Sequence, residues 1–164
     1  MKRIARIAPA AILLLYSVNA MSSADQKILS LTDDDMGRLI KQRSLIEKYL
    51  GNEDSREKYN TAPGKLGTLR ALLNANVFKA DQTYELQSMG VVFGDVFVQD
   101  MGFHWIIVED TYGRDPAIQY KDTSIILYPL TTISKRVEKG EKVDVFELYN
   151  GMAAKVEELM NEGR

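Results

Sequence analysis

Hydrophobic residues recur at three- and four-residue steps along much of the chain, which is the spacing of one face of an α-helix. The most regular run extends over 81–101. Its stripe consists of Leu86, Met89, Gly90, Phe93, Phe97 and Met101. This pattern predicts a long amphipathic helix, capped by Asp81 and ended by Gly102. Gly90 and Gly94 each cost about 1 kcal/mol of helix propensity relative to Ala, so we expect another element to approach closely there.

Four other segments show helical spacing. The sequence predicts helices over 32–50, 65–77 and 131–139, and a last helix that Asp144 caps. The intervening 52–64 is polar and predicts a loop.

The hydrophobic period changes from helical spacing to two after the long helix, which indicates β-strands. Strands are predicted over 103–109, 116–120 and 124–128, with a polar turn at 110–115. The first strand is apolar on both faces, as a central strand would be, although a simple meander places it at an edge. Either helices cover both faces, or the third strand pairs with the first. The predicted class is α+β, a small antiparallel three-stranded sheet packed by about five helices.

The first 24 residues have the three-part layout of a secretory signal peptide. The basic start consists of Lys2, Arg3 and Arg6. An uncharged run over 7–18 follows, shorter than the ~20 residues that span a bilayer. Small residues then predict cleavage between Ala20 and Ala24, which leaves one α+β domain over 25–164 in the periplasm or outside the cell. The alternative is an uncleaved N-terminus that anchors the protein in the inner membrane.

The amino-acid composition limits which kinds of catalytic and binding site the chain can have. The chain has 164 residues, 45% of them apolar, enough for one domain with a proper core. It has no Cys and one His, which excludes a disulfide framework and a cysteine nucleophile and argues against a metal site or a Ser–His triad. Residues 1–24 carry three of the 21 basic residues and none of the 23 acidic ones, which leaves a net charge of −5 for 25–164. Such a surface repels phosphates, so a protein partner is expected rather than nucleic acid.

No motif in the chain predicts a catalytic residue, a metal ligand or a cofactor. The single imidazole, His104, stands in a strand between Phe103 and Trp105. We interpret His104 as structural and Trp105 as part of the core. The chain has neither a phosphate-binding loop nor a Gly-x-Ser-x-Gly elbow.

Two polar clusters remain as candidates, one at the hairpin turn and one in the helix after it. Together they form the candidate functional surface: Asp110, Tyr112, Arg114, Asp115, Lys135 and Arg136. In one interpretation Arg114 folds back between Asp110 and Asp115 as a structural clamp. In the other, Arg114 and Asp115 point outward beside Lys135 and Arg136 as a polar patch that binds a ligand or partner.

Three sequence blocks in fixed order carry a resemblance to a known family. They are Gly90–Asp95, Trp105–Asp115, and Pro129 followed by Ile133–Glu141. In these blocks the chain resembles a bacterial domain of unknown function, number 3806 in that series, over roughly 86–159. The resemblance implies an α+β domain with a family-like core over 81–163. The family brings no established activity, so it assigns no catalytic residue.

The absence of a catalytic motif, together with the acidic surface, predicts an exported, non-catalytic interaction or structural protein. An immunity protein that binds a basic periplasmic toxin is one specific form of this hypothesis. The alternative is a small periplasmic hydrolase that uses the hairpin carboxylates, which would have to line a concave pocket with a raised pKa. The sequence leaves the oligomeric state open.

Overall fold

The computed structural model describes residues 26–162 and has an α+β architecture. In chain order the elements are β1 (Lys27–Leu29), α1 (Asp33–Glu47), α2 (Glu53–Tyr59), α3 (Ala62–Asn74), α4 (Thr83–Met101), β2 (Phe103–Asp110), β3 (Gly113–Tyr120), β4 (Ile126–Leu127), α5 (Leu130–Glu138) and α6 (Val145–Glu162). None of the helices in this range is long and apolar enough to cross a membrane. The predicted signal peptide, residues 1–24, lies outside the described residues.

The sheet has four antiparallel strands in the order β1-β2-β3-β4, one more than the sequence predicted. The additional strand, β1, pairs with β2, with Ile28 opposite Val108. This pairing places β2 inside the sheet, which explains why β2 is apolar on both faces. The predicted third strand shrinks to β4 and pairs with β3, with Leu127 opposite Ile118. The strand order, which the sequence left open, is thus that of a meander with β1 added at its first edge, and the alternative in which the third predicted strand pairs with the first is wrong.

The described residues contain six helices rather than five, because the segment predicted as a loop contains α2. Asn52 caps α2, since its side-chain oxygen accepts a hydrogen bond from the backbone N–H of Ser55 at 2.9 Å. Only Tyr59 of this helix is buried, so α2 lacks the apolar stripe by which a helix is recognised. The predicted cap of α4 is also wrong. The helix begins at Thr83, after Gln82, which makes no side-chain capping bond.

Helix α4 lies at the centre of the molecule, and most of its residues between Leu86 and Phe97 are fully buried. Its glycines permit the close approach that the sequence predicted. A Cβ at Gly90 would lie 2.5 Å from the backbone oxygen of Leu130, and one at Gly94 would lie 2.7 Å from the indole of Trp105. Side chains at these positions would push α5 and β2 away from α4. The two glycines thereby fix where α5 sits beside the sheet.

Candidate functional site

The turn between β2 and β3 is a projecting tip. The Asp110 carboxylate accepts hydrogen bonds from the backbone N–H groups of Tyr112 at 2.7 Å and Gly113 at 3.1 Å. The Tyr112 side chain points away from the fold, and the residue is 97% exposed. Asp110 therefore stabilises its own turn, and Tyr112 stands alone at the tip.

Arg114 forms a clamp, but with a partner that the sequence did not suggest. Its guanidinium donates two hydrogen bonds to the carboxylate of Asp35, Nη1 to Oδ1 at 2.6 Å and Nη2 to Oδ2 at 2.8 Å. The predicted pairing with Asp110 and Asp115 is wrong because side chains alternate across a strand. Arg114 lies opposite Glu109, whereas Asp115 lies opposite Val108 on the other face.

The carboxylate of Asp35 is among the most fully engaged in the described structure. It lies at the start of α1, where its Oδ2 also accepts hydrogen bonds from the backbone N–H of Thr32 at 2.9 Å and from the Thr32 hydroxyl at 2.7 Å. Its side chain is 3% exposed. The hydrogen bonds from Arg114 and Thr32 hold the pKa of Asp35 far below its usual range. The clamp therefore ties the turn end of the hairpin to the first turn of α1.

Three of the six predicted surface residues come together in a groove beside α5. Asp115, Lys135 and Arg136 all line this groove, which has a volume of about 860 Å³. Its walls come from α1, the start of α4, β3, β4, α5 and α6. We call it the α5 groove. Asp110, Tyr112 and Arg114 are not among its lining residues.

Positive charge dominates the lining of the α5 groove, although acidic residues outnumber basic ones in the chain. The basic residues of the lining are Arg38, Lys41, Lys135, Arg136, Lys139 and Lys155, and the acidic ones are Asp115 and Glu141. Lys155 pairs with Glu158 at 2.9 Å, and Arg136 donates to the backbone oxygen of Thr132 at 2.7 Å. The remaining four have no carboxylate within 4.0 Å among residues 26–162. We call Arg38, Lys41, Lys135 and Lys139 the four unpaired cations.

The α5 groove also has an apolar part. The apolar lining comes from the β4 segment and from one side of α6: Ile125, Leu127, Met152, Val156 and Leu159. Each of the four unpaired cations is solvent-exposed, whereas Leu127 and Val156 are buried. The groove thus combines apolar side chains with exposed positive charge.

Tyr128 lies where the groove meets the sheet. Its hydroxyl accepts a hydrogen bond from the side-chain amide of Gln26 at 3.0 Å, a contact between the residue that precedes β1 and the residue that follows β4. Burial, together with the nearby carboxylates of Asp110 and Asp115, raises the pKa of Tyr128. Sequence reasoning missed Tyr128, because no local pattern places it beside the hairpin.

A second polar cluster lies between α1, α4 and β2, and its side chains bind one another. The Asp95 carboxylate accepts hydrogen bonds from Arg43, Nε at 2.6 Å and Nη2 at 2.7 Å, and from the indole N–H of Trp105 at 2.9 Å. The hydrogen bonds from Arg43 raise the pKa of that guanidinium, so it stays charged. The Asp95 carboxylate thereby joins Arg43 of α1 and Trp105 of β2 to α4. We interpret it as structural.

The geometry offers no metal centre in the part of the chain that the structure describes. No group of three or more His, Asp or Glu side chains in residues 26–162 is placed to hold a metal ion. His104 lies exposed on the sheet, opposite Gln119 of β3.

Comparison with known proteins places the chain in a family. The family model described as Domain of unknown function (DUF3806) matches residues 65–149, more than half of the chain. A search of the curated proteins found no match. Among solved structures, a crystal structure from Bacteroides thetaiotaomicron VPI-5482 is similar with a TM-score of 0.63 and 12% identity. The similarity covers 79% of this chain and 47% of that one, so the chain spans about half the length of that protein.

At this identity the structural similarity concerns the fold alone. The family match includes Asp115, Lys135 and Arg136 of the groove, but not Arg38 and Lys41. The resemblance that the three sequence blocks carry is confirmed by the family model: the chain belongs to the DUF3806 family.

Proposed function

We propose that this protein is an exported, non-catalytic binding protein whose partner occupies the α5 groove. One observation carries the proposal: four unpaired cations and an apolar lining share one groove in a chain that is acidic overall. A concave site that gathers unpaired cations beside apolar side chains is typical of a binding site.

The geometry supports binding better than the alternative of a hydrolase. A pair of catalytic carboxylates would have to flank a substrate in one pocket. The hairpin turn has three carboxylates. Asp110 is committed to the backbone of the turn, Glu109 lies 4.0 Å from Arg114 on the face opposite to Asp115, and Asp115 alone lines the groove. The hairpin therefore contributes one carboxylate to the binding site rather than an acid–base pair.

The groove also bears on the immunity-protein hypothesis. A basic toxin would be attracted by the acidic surface of the domain as a whole, but repelled by the four unpaired cations. A partner of that kind would therefore have to bind elsewhere on the molecule. The α5 groove favours a partner that carries negative charge.

For the N-terminus, we propose that residues 1–24 act as a signal peptide and that 25–164 work as one domain in the periplasm or outside the cell. Supporting this, cleavage after Ala20 or after Ala24 leaves β1, which begins at Lys27, complete. The test is to determine the N-terminus of the native protein in separated cell fractions. An intact Met1 in the cytoplasmic fraction would contradict export.

The binding proposal is tested by capture with the native protein and with a charge-reversed variant. The variant carries Lys135→Glu on α5 and Lys139→Glu at its C-cap. The matched control is Lys79→Glu, an exposed lysine outside the groove. We expect a partner from an envelope extract to be retained by the native protein and by the control, and lost by the double variant. Equal retention by all three proteins would overturn the groove as the binding site.

A further inference from the structure

The four unpaired cations occur as two sets of two, and each set has the spacing of one helix face. Arg38 and Lys41 lie three residues apart on α1. Lys135 in the last turn of α5 and Lys139 at the C-cap of that helix lie four apart, so each pair shares one helix face. Like charges at this spacing repel one another. No carboxylate of residues 26–162 lies within 4.0 Å of these four side chains, so no direct ion pair in the described structure offsets the repulsion. An occupant with several negative charges would remove it.

The apolar lining narrows the class of occupant. A small inorganic anion would meet the cations but leave the partly exposed side chains of Ile125, Met152 and Leu159 in contact with water. An occupant that also brings apolar side chains would bury them and gain free energy from that contact. The volume of about 860 Å³ lies at the upper end of the ~300–1,000 Å³ that concave ligand sites usually have, so it admits several side chains.

The two acidic residues of the lining favour an acidic polypeptide over a nucleic acid as the occupant. Asp115 and Glu141 would repel the closely spaced phosphates of a nucleic acid. A polypeptide spaces its carboxylates more widely and can present N–H donors to Asp115 and Glu141. The N-terminal residues 1–24 of this chain do not complement the groove, because they carry three basic residues and no acidic ones.

We propose that the α5 groove binds an acidic polypeptide segment whose carboxylates meet the four unpaired cations and whose apolar side chains contact the lining from β4 and α6. This inference rests on the proposed function and names the chemistry of its partner. Because the segment is recognised by charge, its affinity falls as salt is added. Because it is also recognised by apolar contact, charge alone does not suffice.

The first experiment compares three probes by fluorescence anisotropy with the purified native protein. They are a short labelled peptide of Glu and Leu, the same peptide with Gln in place of Glu, and inorganic phosphate as a competitor. We expect the Glu–Leu peptide to bind, the Gln–Leu peptide to bind at least tenfold more weakly, and phosphate to leave the bound peptide in place. Equal binding of the two peptides, or complete displacement by phosphate at matched ionic strength, would overturn the proposal.

The second experiment locates the peptide. The double variant Lys135→Gln and Lys139→Gln should weaken Glu–Leu binding by about tenfold or more, whereas Lys79→Gln should leave it unchanged. Met152→Ser should weaken binding of the same peptide while leaving its salt dependence intact. Unchanged binding by all variants would overturn the groove as the site, as would self-association of the native chain that the double variant abolishes.

The two proposals fail in different ways. If capture of a native partner depends on Lys135 and Lys139 but the Glu–Leu peptide does not bind, the acidic-segment inference is wrong and the binding function stands. If no capture depends on these lysines, the proposed function itself fails. Folding of each variant is checked by its circular dichroism and its urea unfolding midpoint.

Discussion

In the described structure, one set of cations is bound to carboxylates and another set is not. Arg43 and Arg114 each donate two hydrogen bonds to one carboxylate, with distances between 2.6 and 2.8 Å. Around the α5 groove, Lys135, Lys139 and their counterparts on α1 have no such carboxylate among residues 26–162. The matched arginine pairs join α1 to α4 and to the hairpin, so they serve the fold. The unmatched cations join nothing, which is why we assign them to binding.

Burial explains why substitutions in the two sets of cations should differ in their effect on stability. Side-chain exposure is 27% for Arg43 and 14% for Asp95, so removal of one partner strands the other away from bulk water. The groove cations are exposed and already solvated. Removing one of them leaves no stranded charge behind. Removal of the charge should therefore lower stability when the cation is bound to a buried carboxylate, and should have little effect on stability when it is one of the groove cations.

The largest effect is expected at the matched pair in the interior. Asp95→Ala should lower the free energy of unfolding by about 2–4 kcal/mol, because Arg43 loses its carboxylate and the Trp105 indole N–H loses its acceptor. Urea unfolding measures this loss. The matched control is Asp54→Ala, whose exposed pair with Lys58 should leave stability unchanged within error. Equal losses in the two variants would show that burial does not distinguish the pairs.

The second effect concerns pH and the clamp between hairpin and helix. The pKa of Asp35 lies far below its unfolded value, so Asp35 binds a proton more readily in the unfolded chain. Its contribution to stability is therefore fully present above the unfolded pKa and is lost as pH falls through the folded one, within about pH 5 to pH 1.

Asp35→Asn should flatten this part of the stability curve and lower stability near neutral pH. Thermal unfolding of both proteins across the acid range measures the difference. Asp33→Asn on the same turn is the control, since it removes an exposed carboxylate that makes no ion pair with Arg114. Parallel curves for the native protein and the Asp35→Asn variant would contradict the assignment of the clamp.

Some elements of this structure could be predicted from the sequence and others could not. Helices α4 and α6 were predictable because their apolar stripes are long, and the strands β2 and β3 because their period changes to two. Strand β1 was missed because three residues are too few to show a period. Helix α2 was missed because a short polar helix that buries only Tyr59 differs little from a loop in its pattern.

The site was predictable only in part, for a related reason. The alternation of side chains along β3 could have shown that Arg114 and Asp115 point to opposite faces, which rules out a shared clamp. Nothing local could have shown that Arg114 meets Asp35, which lies 79 positions away in the sequence. The cations of α1 escaped notice for the same reason, since only the folded chain brings Arg38 to the groove that Lys135 lines.

The smallest effect on stability, and the sharpest division between the two sets, is expected at α5. Lys135→Gln removes an exposed charge that has like-charged Lys139 one helical turn away and no carboxylate partner in residues 26–162. We expect the free energy of unfolding to change by less than about 0.5 kcal/mol at low salt, because loss of the repulsion from Lys139 is opposed by loss of the favourable interaction of Lys135 with the C-terminal end of the α5 dipole. Salt screens both interactions, so the difference from the native protein should shrink further at high salt. Arg43→Gln makes the same kind of change at a cation that is bound to a carboxylate, and it should instead lower the free energy of unfolding at every salt concentration. Urea unfolding of both variants at low and high salt measures the contrast, and a clear loss of stability in Lys135→Gln would make this lysine part of the fold and remove it from the proposed binding site.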